Sequence, residues 1–518
     1  MATTAVPPLA PTIESRDPAT GEVWRSFDAT PPAQVAAAIG AARTAQADWR
    51  RRPLTERARH IERFRRALYA RRAEVADTIG HENGKPPVEA LSEVMVTLDF
   101  ARYYTRSRVL RVLRPRVHTA AGPAMWRKRV QVTEEPFGVI GVISPWNYPL
   151  MLPASIVIPA LVAGNAVLLK PSEFTTQTGL LIADLLHQAG VPVDLMRALP
   201  GARDTGAALI DYACDKIFFT GSDATGRKVA VACGERLIPC VLELGGSDAA
   251  IVLADADLER AAEGIAWGRF SNSGQTCVAP KRVFVEAPAY DRFSTLLAAR
   301  VAQIHAGGER GVSELGPLVR PSQAARLQAQ YDDALARGAR VAGAASGDAG
   351  VPAAVLSGIT PDMRVLREET FGPLLPLVSV RDADDAVARA NDSPFGLSAS
   401  VWTGDRRRAL AIAARLDVGS VVVNDAVIIA GMSDVPHGGV KASGSGRAHG
   451  IAGLLECVRT KAVVSERLPH LRQIWWFPYR PGMREALDAA VTALHGPDLV
   501  ARLSALWRAR GLLRRPRP

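Results

Sequence analysis

Two side chains of this sequence suit covalent chemistry on a carbonyl carbon. Cys277 closes the run Ser273-Gly274-Gln275-Thr276-Cys277, and a thiolate among small residues attacks carbonyls well. The competing reading is a buried structural cysteine. Glu243 ends the apolar run Val241-Leu242-Glu243 and is followed by Leu244-Gly245-Gly246, where the backbone can turn and a ligand can approach closely. Burial there would raise the carboxyl pKa and make Glu243 a candidate base. The alternative is a solvated carboxylate at a strand end.

Two further runs suit a nucleotide. Phe218-Phe219-Thr220-Gly221-Ser222 passes into Asp223-Ala224-Thr225-Gly226, a strand turning into a helix whose N-terminus favours phosphate. The pattern is not GxGxxG, and Arg227-Lys228 stands where a P-loop needs Lys followed by Ser or Thr. An ordinary helix cap is the alternative. Leu169-Lys170-Pro171-Ser172-Glu173 also falls at a strand end, where α/β sheets bind nucleotides. Lys170 and Glu173 suit ribose hydroxyls, and a carboxylate there would repel a 2′-phosphate, which leans towards NAD. An exposed charged turn is the alternative.

Together these runs resemble the aldehyde dehydrogenase family over roughly residues 15–465. The resemblance also rests on Ser144-Pro145-Trp146-Asn147-Tyr148-Pro149, Glu368-Glu369-Thr370-Phe371-Gly372-Pro373, Pro436-His437-Gly438-Gly439 and Ser443-Gly444-Ser445-Gly446-Arg447, all in the family's order. It implies an α/β fold with a Rossmann-like cofactor domain (1–116 and 138–243) and an α/β catalytic domain (244–449). A small β oligomerisation arm (117–137 and 450–465) and a C-terminal extension (466–518) complete the expected organisation. The resemblance implies Cys277 as nucleophile, Glu243 as the base that activates water, and Asn147 with the Cys277 backbone N–H as oxyanion hole. The implied cofactor residues are Trp146, Lys170, Ser172, Glu173, Gly221, Ser222, Gly226, Leu244, Gly245, Glu369 and Phe371. Among them Lys170 and Glu173 would meet the adenosine ribose, Gly221 and Ser222 the pyrophosphate, and Glu369 the nicotinamide ribose, with Phe371 packed near that end. Gly245 and Gly246 would allow close approach of the backbone. The cofactor expected is NAD, with NADP as the alternative; no metal is expected, and the assembly expected is a homodimer or homotetramer. The base Glu243 speaks against the CoA-acylating branch.

The expected reaction is oxidation of a hydrophobic aldehyde to its acid. A succinate-semialdehyde dehydrogenase is the first alternative, but it needs a cation for the distal carboxylate, and residues 148–155 hold no Arg or Lys. Met151, Leu152 and Trp267 suggest an apolar funnel instead. A catalytically idle, membrane-recruited scaffold is the second alternative; intact Cys277, Glu243 and Asn147 speak against it. His437 stands where the family commonly has Phe. It is read as a packing difference near the substrate entrance, with a role in substrate choice as the other possibility.

These residues need elements to hold them. Helical periodicity runs through 33–80, with Val35, Ile39 and Ala42, then Ile61, Phe64 and Leu68, on one face. Strand-like and helical runs then alternate: strands at 139–143, 166–169, 216–219 and 249–253, helices near 152–162, 178–189, 224–232 and 258–270. A second series follows Cys277, with strands at 282–285, 340–342, 374–380, 396–402 and 421–424. This alternation predicts a doubly wound parallel sheet. Residues 136–169 hold no charged residue, a length that could span a bilayer, but Pro145, Pro149, Pro153 and Pro159 interrupt it. A fully buried strand, helix and strand fit better.

The 518 residues exceed what one core supports. Five scattered cysteines with no CxxC pair fit a reducing compartment rather than a disulfide framework, and the first residues lack a signal-peptide pattern. The expected location is the cytoplasm, with peripheral membrane contact as an option. The net charge of +11 is uneven. Residues 43–129 carry 21 Lys and Arg against 9 Asp and Glu, and residues 466–518 carry 10 against 4, so the rest of the chain is mildly acidic. That weakens a nucleic-acid reading. The segment 471–479 is aromatic-rich. Met483, Leu487, Val491 and Leu494, then Leu499, Leu503, Leu506 and Trp507, keep helical spacing among arginines. An amphipathic basic helix on an anionic membrane is one reading; a tail packed on its own oligomer is the other.

Overall fold

The uncharged segment becomes three buried elements in the computed structural model: the strand Val139–Ile143, the helix Met151–Ala163 and the strand Ala166–Lys170. Strands covered on both faces have no reason to alternate polar with apolar residues. Among the described residues no helix is long and apolar enough to cross a membrane. The structure describes residues 12–122, 125–307, 313–348, 350–470, 473, 475–479 and 481–514, with side chains to 508.

The chain divides into two units. The first holds Met1–Arg114 and Thr133–Lys461, the second Pro115–Val132 and Ala462–Pro518. In the first unit, one sheet orders its strands as Gly444–Ser445, Cys240–Glu243, Lys216–Thr220, Val139–Ile143, Ala166–Lys170 and Met196–Ala198. All neighbours are parallel except the short Gly444–Ser445 edge. The strand order reverses beside Val139–Ile143, and the crevice outside the carboxyl ends at such a switch point is where open α/β sheets bind ligands. The second sheet runs Arg340–Ala344, Ala354–Ser357, Leu374–Val380, Pro280–Glu286, Asp248–Val252, Ser398–Trp402 and Ser420–Val423, with only the first strand antiparallel. The turn Leu244–Ser247 alone separates the last parallel strand of the first sheet from a central strand of the second.

The helical region expected over 33–80 is three helices, Pro32–Trp49, Leu54–Ala70 and Arg72–Asn83, followed by Pro87–Tyr104. Pro53 and Pro86 start the second and fourth, as residues that cannot continue a preceding helix. Their apolar faces, among them Val35, Ile39, Ile61, Phe64 and Leu68, are buried in the core around the first sheet. Part of the region's positive charge is internal. Arg57 is buried and donates to the carbonyls of Val162 and Arg52, both at 2.9 Å, and burial pulls its pKa down to about 10.

In the second unit, residues 116–119 pair antiparallel with 129–132. Glu466 receives Lys128 Nζ at 2.9 Å and Arg127 Nε at 3.2 Å. The single basic helix read from the sequence is two helices, Met483–His495 and Leu499–Arg514. Gly496 closes the first by donating its N–H to Thr492 O at 2.8 Å, and Pro497 prevents continuation. Leu487, Val491, Leu494, Leu499, Leu503, Leu506 and Trp507 are exposed. Of the expected aromatic and basic tail, Leu471, Arg472, Ile474, Arg480, Arg515 and Arg517 lie outside the described residues.

Candidate active site

Cys277 sits on a turn bent away from ordinary backbone. After the helix Leu258–Phe270, Asn272, Ser273 and Gly274 all have left-handed φ, of 50°, 53° and 73°. Such runs persist only where neighbours hold them, and here they do. Asn272 N donates to Glu89 Oε2 at 2.8 Å, Ser273 Oγ to Gly316 O at 2.7 Å, and Gln275 Oε1 accepts Val319 N at 3.0 Å. A Cβ on Gly274 would lie 2.4 Å from the Gly372 carbonyl, so glycine is required where the Cys277 turn packs on the 368–373 segment. Arg269 ties the same two segments by donating to Thr370 O at 3.0 Å and also to Gly372 O.

Asn147 lies against this turn. Its Nδ2 donates to Gln275 O at 3.0 Å, which leaves one N–H of the carboxamide for another acceptor. Its carbonyl receives Lys85 Nζ and Asn272 Nδ2, both at 2.9 Å. Lys85 is itself paired with Glu93 at 2.8 Å, and both side chains are fully buried. Glu93 also accepts the Leu150 and Met151 N–H groups at 2.8 and 2.9 Å, satisfying otherwise orphaned donors at a helix start.

Cys277 is partly exposed, yet its thiol is pushed up to about 12, first by desolvation. Lys281 opposes the shift, while Asp248, Glu243 and Glu369 add to it. Lys281 donates to Cys277 O at 2.5 Å and stands 3.5 Å from Glu369 Oε1. Glu243 ends its strand buried, and desolvation raises its carboxyl to about 8 against the pull of Arg447.

Two cavities meet at Cys277. One, of about 140 Å³, is lined by Asn147, Glu243 and Cys277 and by the expected cofactor residues Trp146, Gly221, Ser222, Leu244, Gly245, Glu369 and Phe371. These residues come from the ends of three parallel strands of the first sheet and from the 368–373 segment. Ser222 caps the helix Asp223–Glu235 through Thr225 N, and Gly221 N donates to Glu243 O at 3.0 Å. Glu369 accepts Gly246 N at 3.1 Å, and a Cβ on Gly245 would lie 2.3 Å from the Glu369 carboxylate. Trp146 and Phe371 stand edge to face, with centroids 5.6 Å apart. A helix N-terminus and a close-approach glycine at the strand ends of the first sheet, with the Glu369 carboxylate facing them, fit a nicotinamide dinucleotide. Lys170, Ser172, Glu173 and Gly226 do not line this cavity. Lys170 and Glu173 form a 3.4 Å ion pair, Ser172 Oγ receives Phe174 N at 3.4 Å, and Gly226 packs on Leu244.

The second cavity, of about 1200 Å³, is lined by Cys277 together with Met151, Leu152 and Trp267, as the funnel expectation requires. Val88, Met95, Phe270, Ile428 and Met432 extend its apolar wall. Among its described lining residues Arg300 is the single cation, against Glu89, Glu93, Asp99, Glu263 and Glu314.

His437 differs in place from the sequence reading. It lines the smaller cavity rather than the funnel, with His449 and Ala448. The site residues missed from the sequence are Glu89 in the funnel, Lys281 on the Cys277 carbonyl, and Arg320, Gln323, Arg326 and His449 in the smaller cavity. Lys281-Arg282 opening a buried strand was a legible signal. Arg320, Gln323 and Arg326 look like one polar helix face, and nothing local marks them.

The chain matches the aldehyde dehydrogenase family over residues 6–463. It is 37% identical to a Methylomonas protein named 4,4'-diapolycopene aldehyde oxidase, over 94% of this chain and 92% of that one. It is 38% identical to a Mycolicibacterium smegmatis protein named for succinate-semialdehyde dehydrogenase [NADP(+)], over 84% and 85%. The crystal structure of an NADP-dependent glyceraldehyde-3-phosphate dehydrogenase from Bacillus halodurans superposes with a TM-score of 0.83 at 35% identity, over 88% of this chain and 96% of that one. With the fold, the site and these relatives in agreement, this chain belongs to the aldehyde dehydrogenase family and is an NAD(P)-dependent oxidoreductase.

Proposed function

We propose that the protein oxidises a hydrophobic aldehyde to its carboxylic acid. The observation that carries this reading is the large apolar cavity opening on Cys277. An apolar chain in that cavity leaves water, which favours binding in proportion to buried area. The name of the Methylomonas relative, which refers to 4,4'-diapolycopene aldehyde, agrees with it.

In this reading Cys277 gives its thiol proton to water in the cavity, Sγ adds to the aldehyde carbon as the carbonyl π pair moves to oxygen, and the alkoxide forms beside the free N–H of Asn147 and the Cys277 backbone N–H. NAD(P)+, when bound, supplies the hydride acceptor. Cys277 then carries the acyl group as a thioester. Glu243 takes a proton from water, whose oxygen attacks the thioester carbon, and the acid leaves as Sγ is released. Lys281, holding the Cys277 carbonyl, contributes the positive charge that favours a thiolate. Gly221 and Ser222 meet the pyrophosphate, and Trp146, Leu244, Gly245, Glu369 and Phe371 line the cavity on the nicotinamide side. Lys170, Ser172, Glu173 and Gly226, outside that cavity, serve the adenosine half.

The second reading, a succinate-semialdehyde dehydrogenase, has Arg300 in the funnel and the mycobacterial relative in its favour. Asp99, Glu263 and Glu314 in the same lining oppose a substrate carboxylate; Glu93 is paired with Lys85, and burial raises Glu89 to about 7. Reduced-nicotinamide formation with a panel of alkyl, aromatic and polyene aldehydes and succinate semialdehyde, each with NAD and NADP, tests both. The hydrophobic reading expects the highest kcat/KM with a long apolar aldehyde. A preference for succinate semialdehyde would overturn it.

The proposed assembly is a homodimer or homotetramer joined through the β arm and the tail, with an anionic membrane as the competing partner of the tail. A cytoplasmic location accords with five cysteines of which none is in a disulfide.

A further inference from the structure

Behind the proposed base lies a group of buried polar atoms that no described side chain satisfies. Glu243, His437 and His449 are 7%, 4% and 1% exposed. Glu243 Oε1, His437 Nδ1 and both ring nitrogens of His449 have no hydrogen-bond partner. Buried polar groups are rarely left so unless water or a moving proton uses them. His437 Nε2 faces Glu243 Oε2 at 3.8 Å, too far for a direct hydrogen bond and close enough that a small side-chain movement makes one. His437 and His449 stack, with centroids 5.1 Å apart and planes 20° apart, and Phe100 packs on His449 at 4.6 Å. The backbone fixes this arrangement: His437 N donates to Ala448 O at 2.9 Å and Ala448 N to His437 O at 2.7 Å. All three side chains line the cavity that reaches Cys277.

We propose that His437 is a positioning residue for Glu243 that also relieves it of the proton taken from water. The proposal rests on Glu243 being the base. When water attacks the thioester, its oxygen bonds to the acyl carbon, the C–S bond breaks, and the electron pair leaves on Cys277 Sγ. One water proton goes to Glu243 and the other stays on the acid. The proton then passes from the Glu243 carboxyl to His437 Nε2. This restores the carboxylate and leaves an imidazolium, whose Nδ1–H delivers its proton to water in the cavity. His437 rests neutral, because burial and Arg447 both hold it well below the ordinary histidine range, to about 4; it therefore takes the proton only transiently, against the pKa difference, and gives it up again quickly. The charged and titratable groups around the pair are Arg447, Glu456, His449 and Cys277. Arg447 pulls the Glu243 carboxyl towards its charged form, against the larger effect of desolvation.

The test separates acylation from deacylation in the full-length enzyme with NAD and its best aldehyde. His437→Phe keeps a flat ring and removes both nitrogens; His437→Gln keeps a polar side chain and decides the matter if the Phe variant fails to fold by its melting curve. The proposal expects a full first-turnover burst of reduced nicotinamide, an acyl adduct accumulating on Cys277 by intact mass, and deacylation slowed about tenfold or more. It also expects the acid limb of the deacylation rate to move by about half a pH unit or more. Burst and deacylation falling together, deacylation unchanged, or slowed deacylation with an unmoved acid limb would each overturn it. Glu243→Gln tests the underlying reading separately. If that variant clears the adduct at the wild-type rate, Glu243 is not the base and both ideas fall. If it stalls while His437→Phe behaves as wild type, only the relay is lost.

Discussion

Cys277 and Glu243 are both held protonated by burial, the thiol at about 12 and the carboxyl at about 8. In the proposed reaction both must lose a proton, so the sign of the pH dependence follows. Turnover should rise with pH between about 6 and 9, because each step up increases the fraction of thiolate and carboxylate. A pH–rate profile under saturating aldehyde checks this, and a rate that falls across that range would contradict the assignment. Cys277→Ala should abolish reduced-nicotinamide formation with every aldehyde in the panel, while cofactor binding followed by Trp fluorescence persists. Asn147→Ala removes one oxyanion donor and should lower kcat/KM by about 10²–10³, corresponding to about 2.7–4 kcal/mol. It also removes the buried Nδ2 bond to Gln275 O, so the melting temperature should fall modestly, while the backbone carbonyl stays clamped by Lys85 and Asn272.

The elements convert these residues into a site by making two distant segments share one turn. The 272–277 turn leans on the 368–373 segment through Gly274, with Arg269 bonded to the carbonyls beside it. Gly274→Ala therefore carries a left-handed φ penalty of about 1–2 kcal/mol and a clash with backbone that cannot swing aside. We expect a lower melting temperature in differential scanning calorimetry and an activity loss of about 10²-fold, since misplacing a reacting atom by about an ångström costs that much. Most of the elements were legible beforehand. The strand at 139–143 and the helix at 258–270 match the periodicity residue for residue. The three-helix break at Arg50 and Arg71 was not, because a helical face continues across each break and only the proline at 53 hints at the first. The tail shows the same limit: Leu487 to Trp507 keep one helical pattern, and Gly496-Pro497 divides it.

At the scale of the whole molecule the uneven charge finds different uses in its two regions. In the N-terminal helices some arginines are internal ties, as Arg57 is, and others form surface pairs such as Arg65 with Glu62, which contribute little each. In the tail Leu487, Val491, Leu499, Leu503 and Trp507 are exposed, the surface proposed above for a partner. Removing residues 467–518 should lower the molar mass seen by light scattering if that partner is another copy of the chain. Wild-type sedimentation with anionic liposomes that the deletion abolishes would instead assign the surface to a membrane.

The sequence by itself determined the family, the α/β class and most strand positions along the chain, and it nominated the reacting groups. These follow from local rules: buried parallel strands read as unbroken apolar runs, and the motif residues occupy the turns at strand ends. Only the tertiary structure decided which side chains share a cavity. Lys281 reaches Cys277 because its strand begins beneath the turn. His437 faces Glu243 across a gap of nearly two hundred positions in the chain. The funnel takes its apolar wall from segments as far apart as Val88 and Met432. Contacts of that kind depend on how sheets and helices pack in three dimensions, and no local spacing encodes them.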